Sequence, residues 1–245
     1  MSLDMINIVM RRQLYSYFAT PVAYVFIVMF LVLAGVFSFY LGNFFEKGQA
    51  DLSAFFNFHP WLYLFFMPAI AMGLWSSERQ LGTIELLMTL PIGHGNVVLG
   101  KFLAAWLFAA LALLLTFPIW ITVSYLGDPD HGVIVACYVG SWLMAGGFLA
   151  IGSCMSACTK NQIVAFLLTV VVSFIFMVSG VPMVLEAFFW APQWLLDFIV
   201  GLSFLIRFDA IARGVLDVRD VLYFCMQIAL WLYLTGLMLK RNQAQ

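Results

Sequence analysis

Long apolar runs separated by short polar segments dominate the chain. A helix needs about 20 apolar residues to cross the roughly 30 Å hydrocarbon core of a bilayer. Six runs approach or exceed that length and carry no charged residue near their middle, so they predict six transmembrane helices. The predicted spans are 21–41, 59–75, 102–126, 133–158, 163–184 and 221–239. Pro118 is expected to kink the third span near its outer end.

Composition supports the same fold class. The chain has 245 residues, of which 64% are hydrophobic and only 9% are charged, and its mean hydropathy is +1.03. In soluble domains about a quarter of all residues are charged. The sequence therefore predicts an all-α polytopic membrane protein with a single transmembrane domain over residues 1–245.

Two segments outside the spans have amphipathic character. Met5–Phe18 alternates apolar and polar residues at helical spacing, which favours an interfacial helix with Arg11 and Arg12 among lipid headgroups. A simple basic flank of the first span is an equal alternative. The outer segment 186–220 mixes aromatic and charged residues, and its two short apolar pieces are expected to form re-entrant or interfacial helices before the last span.

The distribution of positive charge predicts the orientation. Cytoplasmic loops of membrane proteins are enriched in Lys and Arg. With six spans and the N-terminus inside, seven of the 11 Lys and Arg residues fall on the inner side. Both termini and the loop 76–101 are then cytoplasmic.

The stretch GHGNVVLGKF, Gly93–Phe102, contains most of a phosphate-binding loop, G-x-x-x-x-G-K. Such a loop needs Ser or Thr after its Lys to hold magnesium, and Phe102 cannot do this. The helix that follows is a membrane span rather than part of a soluble α/β domain. We therefore expect no nucleotide binding here, and we interpret Lys101 as an inner-face anchor that extends towards headgroups.

The same loop contains a predicted short helix. Thr83 can cap a helix over Ile84–Leu90 with Glu85 in its first turn, and Pro91 ends it. A cytoplasmic helix with an apolar surface must lie on the membrane or dock into a partner. The apolar side chains include Leu86, Leu87 and Met88.

These residues carry a resemblance to a known family. The segment E-R-x-x-G-T-I-E-L-L-M-T-L-P-I, followed by V-V-L-G-K, resembles the loop between the second and third spans of type-2 ABC-transporter permeases. The sequence is most similar to gliding-motility, GldF-like permease subunits. Further matches are YSYFATPVAY from Tyr15, TKNQIVAF from Thr159 and RGVLDVRD from Arg213. The resemblance covers nearly the whole chain.

The resemblance implies an architecture and partners. It implies one permease half with six spans, paired with a second copy or a homologous permease in the inner membrane of a bacterium. Each half docks a separate ABC ATPase, which would hold the ATP and Mg²⁺. No catalysis, cofactor, metal or nucleic acid is expected for this chain. The helix after Gly82 and Thr83 corresponds to the coupling helix. The implied ATPase interface comprises Glu78, Arg79, Gly82, Thr83, Glu85, Leu86, Leu87 and Met88.

Other patterns add two expectations. Gly146, Ala150, Ser153 and Ala157 follow helical spacing and predict a small-residue ridge for close helix packing, with a pore-opening hinge as the alternative. No charged residue lies in the middle of a span, although proton- or sodium-coupled carriers normally need one. A transporter energised from outside the membrane fits better.

Scattered polar residues predict no catalytic or metal site. The histidines are dispersed and are interpreted as interfacial polar residues. In the outer segment, Arg213 and Asp217 are expected to pair across one helical turn. That segment is either an ion-paired cap at headgroup level or a surface for an outer partner or substrate exit. The surface would comprise Arg207, Asp209, Arg213 and Asp217.

The sequence leaves three candidate functions. The first is ATP-driven export of an amphipathic or lipid-linked substrate. The second is an ATP-driven motility or regulatory complex in which the stroke acts on a membrane-anchored partner with a large extracytoplasmic domain, and no cargo crosses. The third, a self-contained channel or carrier, is disfavoured by the coupling-type loop and by the uncharged span centres.

Overall fold

The computed structural model describes residues 2–42, 44, 51–84, 93–187, 190–214 and 217–243, and it contains no strand within these ranges. A π-helical turn, Phe37–Leu41, continues the second helix. The α-helices in chain order are α1 Ser2–Phe18, α2 Pro21–Val36, α3 Ser53–Asn57, α4 His59–Ala71, α5 Ser76–Leu81, α6 His94–Leu114, α7 Phe117–Leu126, α8 His131–Cys158, α9 Gln162–Val178, α10 Pro182–Ala187, α11 Gln193–Gly201, α12 Phe204–Ala212 and α13 Val218–Gln243.

Four helical segments in the described residues are long and apolar enough to cross a membrane: Pro21–Leu41, His94–Leu126, His131–Cys158 and Val218–Arg241. The other two predicted spans are shorter as helices than the sequence suggested. Helix α9 has 17 residues and α4 has 13. At 1.5 Å per residue, α4 is only about 20 Å long. The all-helical fold is confirmed, whereas the count of six spans stays a prediction.

Helix α8 forms the centre of the bundle. It packs against α13, α4, α9, α6 and α12. Its first turn is capped by Asp130, whose carboxylate accepts hydrogen bonds from the N–H groups of Gly132 and Val133 at 2.9 and 3.2 Å. Most of its side chains from Gly140 onward are buried. A displacement of α8 must therefore move its neighbours, because packed interiors do not deform freely.

The third predicted span is divided into two helices. Helix α6 ends at Leu114 and α7 begins at Phe117, with Pro118 in its first turn, so the span is interrupted where only a kink was expected. The Thr116 hydroxyl donates to the Leu113 carbonyl at 2.6 Å and lies 3.0 Å from the Tyr138 hydroxyl. These contacts satisfy polar groups that the interruption exposes.

His59 is buried inside the bundle, whereas the sequence suggested a polar residue at the surface. Its side chain is fully buried, and Nδ1 lies 3.0 Å from the Phe55 carbonyl. The imidazole packs among aromatic rings, with centroids 4.4 Å from Phe55 and 5.2 Å from Phe56. Burial of this polar ring is tolerated because aromatic rings pack against it. The Phe55 carbonyl also gives Nδ1 a hydrogen-bond partner.

Candidate functional site

Helix α5 presents an exposed surface at the end of the bundle where α6 begins and α8 ends. The helix ends at Gly82, which adopts a left-handed conformation with φ 70° and donates its N–H to the Glu78 carbonyl. Glycine adopts this conformation without a Cβ clash. The side chains of Gln80, Leu81 and Thr83 are exposed, and Leu81 is 75% exposed. Of the predicted ATPase interface, this surface contains Gly82 and Thr83.

Beneath α5 lies a buried ion pair. The Lys101 ammonium nitrogen lies 2.6 Å from Glu78 Oε2, donates to the Leu74 carbonyl at 2.6 Å, and sits 4.3 Å from the centre of the Trp75 ring. The Lys101 side chain is 4% exposed and that of Glu78 is 23% exposed. The interpretation of Lys101 as an anchor that extends to headgroups was therefore wrong. The turn at Leu74 and Trp75 covers the amine and provides closer partners.

Two serines of α8 fix the turn before α5. Ser156 Oγ accepts the N–H groups of Trp75 and Ser76 at 3.0 and 3.1 Å, and it donates to the Met72 carbonyl at 2.7 Å. Ser153 Oγ accepts the indole N–H of Trp75 at 3.0 Å. A hydroxyl has one donor and two acceptor positions, so Ser156 is fully used. We call Trp75, Glu78, Lys101, Ser153 and Ser156 the anchor cluster.

Two further contacts seat α5 on the ends of neighbouring helices. Arg79 Nη1 donates to the Ala157 carbonyl in the last turn of α8. Cations are favoured at helix C-termini, where carbonyls lack intrahelical partners. Gln162 Nε2, in the first turn of α9, donates to Ser77 Oγ at 3.0 Å. Helix α5 is thus connected to α6, α8 and α9 together.

Ser156→Ala tests how firmly this seat is held. The variant removes one acceptor for two buried N–H groups and the donor to one carbonyl. Leaving a buried polar group unpaired costs about 1–3 kcal/mol, so we expect the free energy of unfolding to fall by about 2 kcal/mol after local relaxation. SDS titration in mixed micelles, followed by tryptophan fluorescence, measures this change. Ser124→Ala, at an exposed position of α7, is the matched control and should lie within about 0.5 kcal/mol of wild type. Equal effects of the two variants would contradict the hydrogen-bonded seat.

The G-x-x-x-x-G-K stretch has a structural role in this fold. A Cβ placed on Gly100 would lie 2.8 Å from the Val9 Cβ, so this glycine allows α1 to approach α6 closely. Lys101 is occupied by Glu78 and Leu74. Neither residue is positioned to cradle a phosphate. Sequence reasoning missed this role because neither partner is adjacent in the chain.

The predicted interface residues occupy different environments. Glu78 and Arg79 turn inward to α6 and α8, whereas Gly82 and Thr83 are exposed. The Thr83 hydroxyl donates to the Glu78 carbonyl at 3.4 Å. The remaining residues of that prediction lie outside the described residues, as does nearly all of the predicted helix Ile84–Leu90. They are Glu85, Leu86, Leu87 and Met88.

The small-residue positions Gly146, Ala150, Ser153 and Ala157 are all buried on α8. A Cβ on Gly146 would lie 2.8 Å from Ile228 Cδ1. The tightest approach on this helix lies elsewhere: a Cβ on Gly152 would lie 2.4 Å from the Ala71 Cβ on α4. Gly152 was missed because it is outside the four-residue spacing of the predicted ridge.

The outer-segment residues form different pairs from those expected. Arg207 Nη1 lies 3.0 Å from Asp220 Oδ1 and its guanidinium is 5.5 Å from the centre of the Tyr223 ring. Arg213 and Asp217 do not form an ion pair, so their predicted pairing was wrong. Gly214 has φ 84°, which ends α12 and removes the helical spacing.

The two remaining acidic residues of that surface have other environments. Asp217 Oδ1 accepts the Arg219 N–H at 3.0 Å. Partial burial raises the pKa of the Asp209 carboxyl, and the Arg213 charge opposes that rise.

The described residues contain no group of three or more His, Cys, Asp or Glu side chains placed to hold a metal ion. Long apolar helices around a buried centre, with a polar seat for a short surface helix, define a multi-pass helical membrane protein. The chain belongs to the ABC-2 family transporter proteins, because the model of that family matches residues 23–195. Its class is thus the membrane permease subunit of an ABC transporter, which works with an ABC ATPase. No curated protein matches the sequence.

Proposed function

We propose that this chain is the permease half of an ATP-driven exporter, and that its partner ATPase acts on the loop 76–101. The observation that supports this proposal is the anchor cluster, which fixes α5 to α6 and α8 through buried contacts. A loop that only connected two spans would not need a buried ion pair and a fully used serine beneath it. A surface that receives force needs such a rigid base.

We propose that the force from the ATPase passes through α5 to α8 and then to the helices packed against α8. The ATPase would press on the exposed surface of Gln80, Leu81, Gly82 and Thr83, and on the loop residues that follow. The contacts of Ser156 and Arg79 would carry that displacement to α8. Because α8 packs against five other helices, its movement would rearrange the bundle. This end of the bundle is assigned to the cytoplasm from the Lys and Arg distribution.

The cargo is proposed to be amphipathic or lipid-linked. Most of the side chains that face outward from α2, α9 and α13 are apolar, including Val28, Leu167 and Leu230, which are 57%, 55% and 51% exposed. Such a surface suits a substrate that enters from the lipid phase. Six crossings, a pair of permease halves and a GldF-like subfamily are parts of the same proposal.

A second candidate function is transmission of force to an outer partner without cargo. It is favoured by one contact: a Cβ on Gly140 of α8 would lie 2.7 Å from Ile211 of α12, so α8 directly abuts the outer segment. Movement of α8 would then shift the surface that carries Arg207 and Asp209. Detection of ATP-dependent substrate movement in proteoliposomes separates export from this alternative.

Co-purification with the ATPase encoded beside this chain tests the docking surface. We expect wild type to retain the ATPase, and we expect Leu81→Asp and Gly82→Trp to weaken binding by about tenfold or more, because bulk or charge at an interface centre costs a few kcal/mol. Gly82→Asn keeps a residue that tolerates positive φ and should retain most binding.

Gly35→Trp is the matched bulk control, because a Cβ there meets nothing within 4 Å on α2. It should retain the ATPase fully. Size-exclusion profiles establish that each variant is folded. Equal retention of the ATPase by all variants, or no retention by wild type, would reject loop 76–101 as the docking site.

A further inference from the structure

A cavity of 590 Å³ lies between α11 and the first half of α13, away from the anchor cluster. Helix α11 contributes Asp197 and Gly201 to its wall, and α13 contributes Tyr223, Met226, Gln227 and Leu230. The wall is mainly apolar but contains a small set of polar groups. That combination is typical of sites for small amphipathic molecules.

The hydrogen bonds of the wall leave one acceptor unused. The Tyr223 hydroxyl donates its single proton to the Leu202 carbonyl at 2.5 Å. The Gln227 atom that lies 3.4 Å from the Tyr223 oxygen must therefore be the donor Nε2. Gln227 is 6% exposed, and its carbonyl oxygen Oε1 is buried without a partner in the described part of the chain. A buried carbonyl in this state would be stabilised by a ligand that donates a hydrogen bond.

The charges near the cavity favour a cation. Asp197 is exposed on the α11 side and forms no ion pair with any described residue. Arg207, which lies against the Tyr223 ring, is neutralised by Asp220 at 3.0 Å. These three charged groups leave one net negative charge beside the unused acceptor. The polar end of a ligand is therefore expected to carry positive charge and N–H donors.

The apolar residues that flank Gln227 on α13 favour an apolar tail. Met226 and Leu230 are 64% and 51% exposed and lie one turn apart on α13, so they extend the cavity along an apolar stripe of the helix. Trp194 and Phe198 of α11 are 70% and 61% exposed, as expected for a helix at the level of lipid headgroups.

We propose that the cavity between α11 and α13 binds an amphipathic amine. The protonated amine donates to Gln227 Oε1 and faces the Asp197 carboxylate, and the apolar tail lies along Met226 and Leu230. The same chemistry is found in an aminophospholipid of the bilayer and in a free long-chain amine. Binding at this site requires neither the partner ATPase nor transport.

Gly201 offers a direct way to fill the cavity. A Cβ on Gly201 meets nothing within 4 Å and its φ is not positive, so Gly201→Leu adds bulk to the cavity without a clash at Cβ or backbone strain. Gly35→Leu adds the same side chain to open space on α2 and is the matched control. Gln227→Leu removes the unpaired acceptor together with the long 3.4 Å contact to the Tyr223 hydroxyl, so the variant should stay folded. Asp197→Asn removes the charge.

Native mass spectrometry of the chain alone, released from nanodiscs, measures binding. In one arm the nanodisc contains equal phosphatidylethanolamine, phosphatidylcholine and phosphatidylglycerol. In the other arm it contains phosphatidylcholine with added dodecylamine, dodecanol or sodium dodecyl sulfate. We expect amine adducts to exceed the dodecanol and sulfate adducts by about tenfold, as charge-assisted hydrogen bonds are about twice as strong as neutral ones.

Gly201→Leu should reduce amine adducts by about tenfold, Gln227→Leu and Asp197→Asn by roughly three- to tenfold, and Gly35→Leu should leave them unchanged. Phosphatidylethanolamine adducts in the first arm identify a bilayer lipid as the ligand, and dodecylamine adducts alone identify a free amine. Amine adducts that match the dodecanol adducts, or that persist in Gly201→Leu, overturn the proposal. Because no ATPase is present, such a failure is distinct from a failure of ATPase docking.

Discussion

Lys101→Met is expected to lower the free energy of unfolding by about 3 kcal/mol or more. Removing one partner of a buried ion pair leaves an uncompensated charge, which typically costs about 3–5 kcal/mol. Here the variant leaves the Glu78 carboxylate without its cationic partner, and it also leaves the Leu74 carbonyl without its hydrogen-bond donor. The expected value lies at the lower end because the Glu78 side chain is 23% exposed and water can reach it.

The double variant Glu78→Leu with Lys101→Met separates the stability cost of an unpaired charge from the cost of altered side-chain packing. Replacing both members of a buried pair by apolar residues is often neutral, so the double variant should recover most of the lost stability. The Leu74 carbonyl keeps the recovery incomplete. SDS titration measures all three proteins, and Lys240→Met, at an exposed lysine of α13, is the control. A loss in Lys101→Met no greater than that in Lys240→Met would show that the buried pair contributes nothing to stability.

Gly152→Leu is expected to produce the second large effect, with a loss of about 3 kcal/mol or a failure to fold. Even a methyl group at this position would lie 2.4 Å from the Ala71 Cβ and 3.2 Å from Thr169 Cγ2. Helices α8 and α4 must separate to admit a longer side chain. Overpacking of this kind costs about 1–3 kcal/mol for small additions and more for large ones. Close packing matters in membranes because lipid tails are as apolar as the helix surfaces, so the hydrophobic effect does not drive the helices together.

A methyl swap tests the contact itself. Gly152→Ala should cost about 1–3 kcal/mol, and adding Ala71→Gly to it should restore much of the loss, because the methyl group then occupies the space vacated across the contact. The free energies of both single variants and the double variant give a coupling energy, which we expect to exceed about 1 kcal/mol. Gly236→Ala, where a Cβ meets nothing within 4 Å, is the control. Additive effects would mean that α8 and α4 do not meet at these two residues.

Hydropathy predicted the helices well because the bilayer imposes one length and one composition on every span. It overestimated the lengths of α4 and α9, because continuous apolar sequence does not show where a helix ends. The end of α4 depends on Ser156, which holds the turn 72–75 from a distant part of the chain.

The candidate site was predicted only in outline. The loop 76–101 stood out because its apolar and acidic residues are unusual between two spans, but the inward orientation of Glu78 could not be read from the sequence. A lysine at the start of an apolar run resembles a headgroup anchor, and only the fold brings a carboxylate and a carbonyl to its amine. In the same way, the pairing of Arg213 with Asp217 assumed a helix that Gly214 interrupts.

The interruption between α6 and α7 has a consequence for the bilayer itself. A rigid span can match a thicker or thinner membrane only by tilting as a whole, and hydrophobic mismatch costs fractions of a kcal/mol per ångström. In this chain the half that carries Lys101 is held by Glu78, whereas α7 is joined to it through residues 115–116 and exposes most of its side chains. We therefore expect α7 to change its angle with membrane thickness more readily than α6, while the ion pair beneath α5 stays in place.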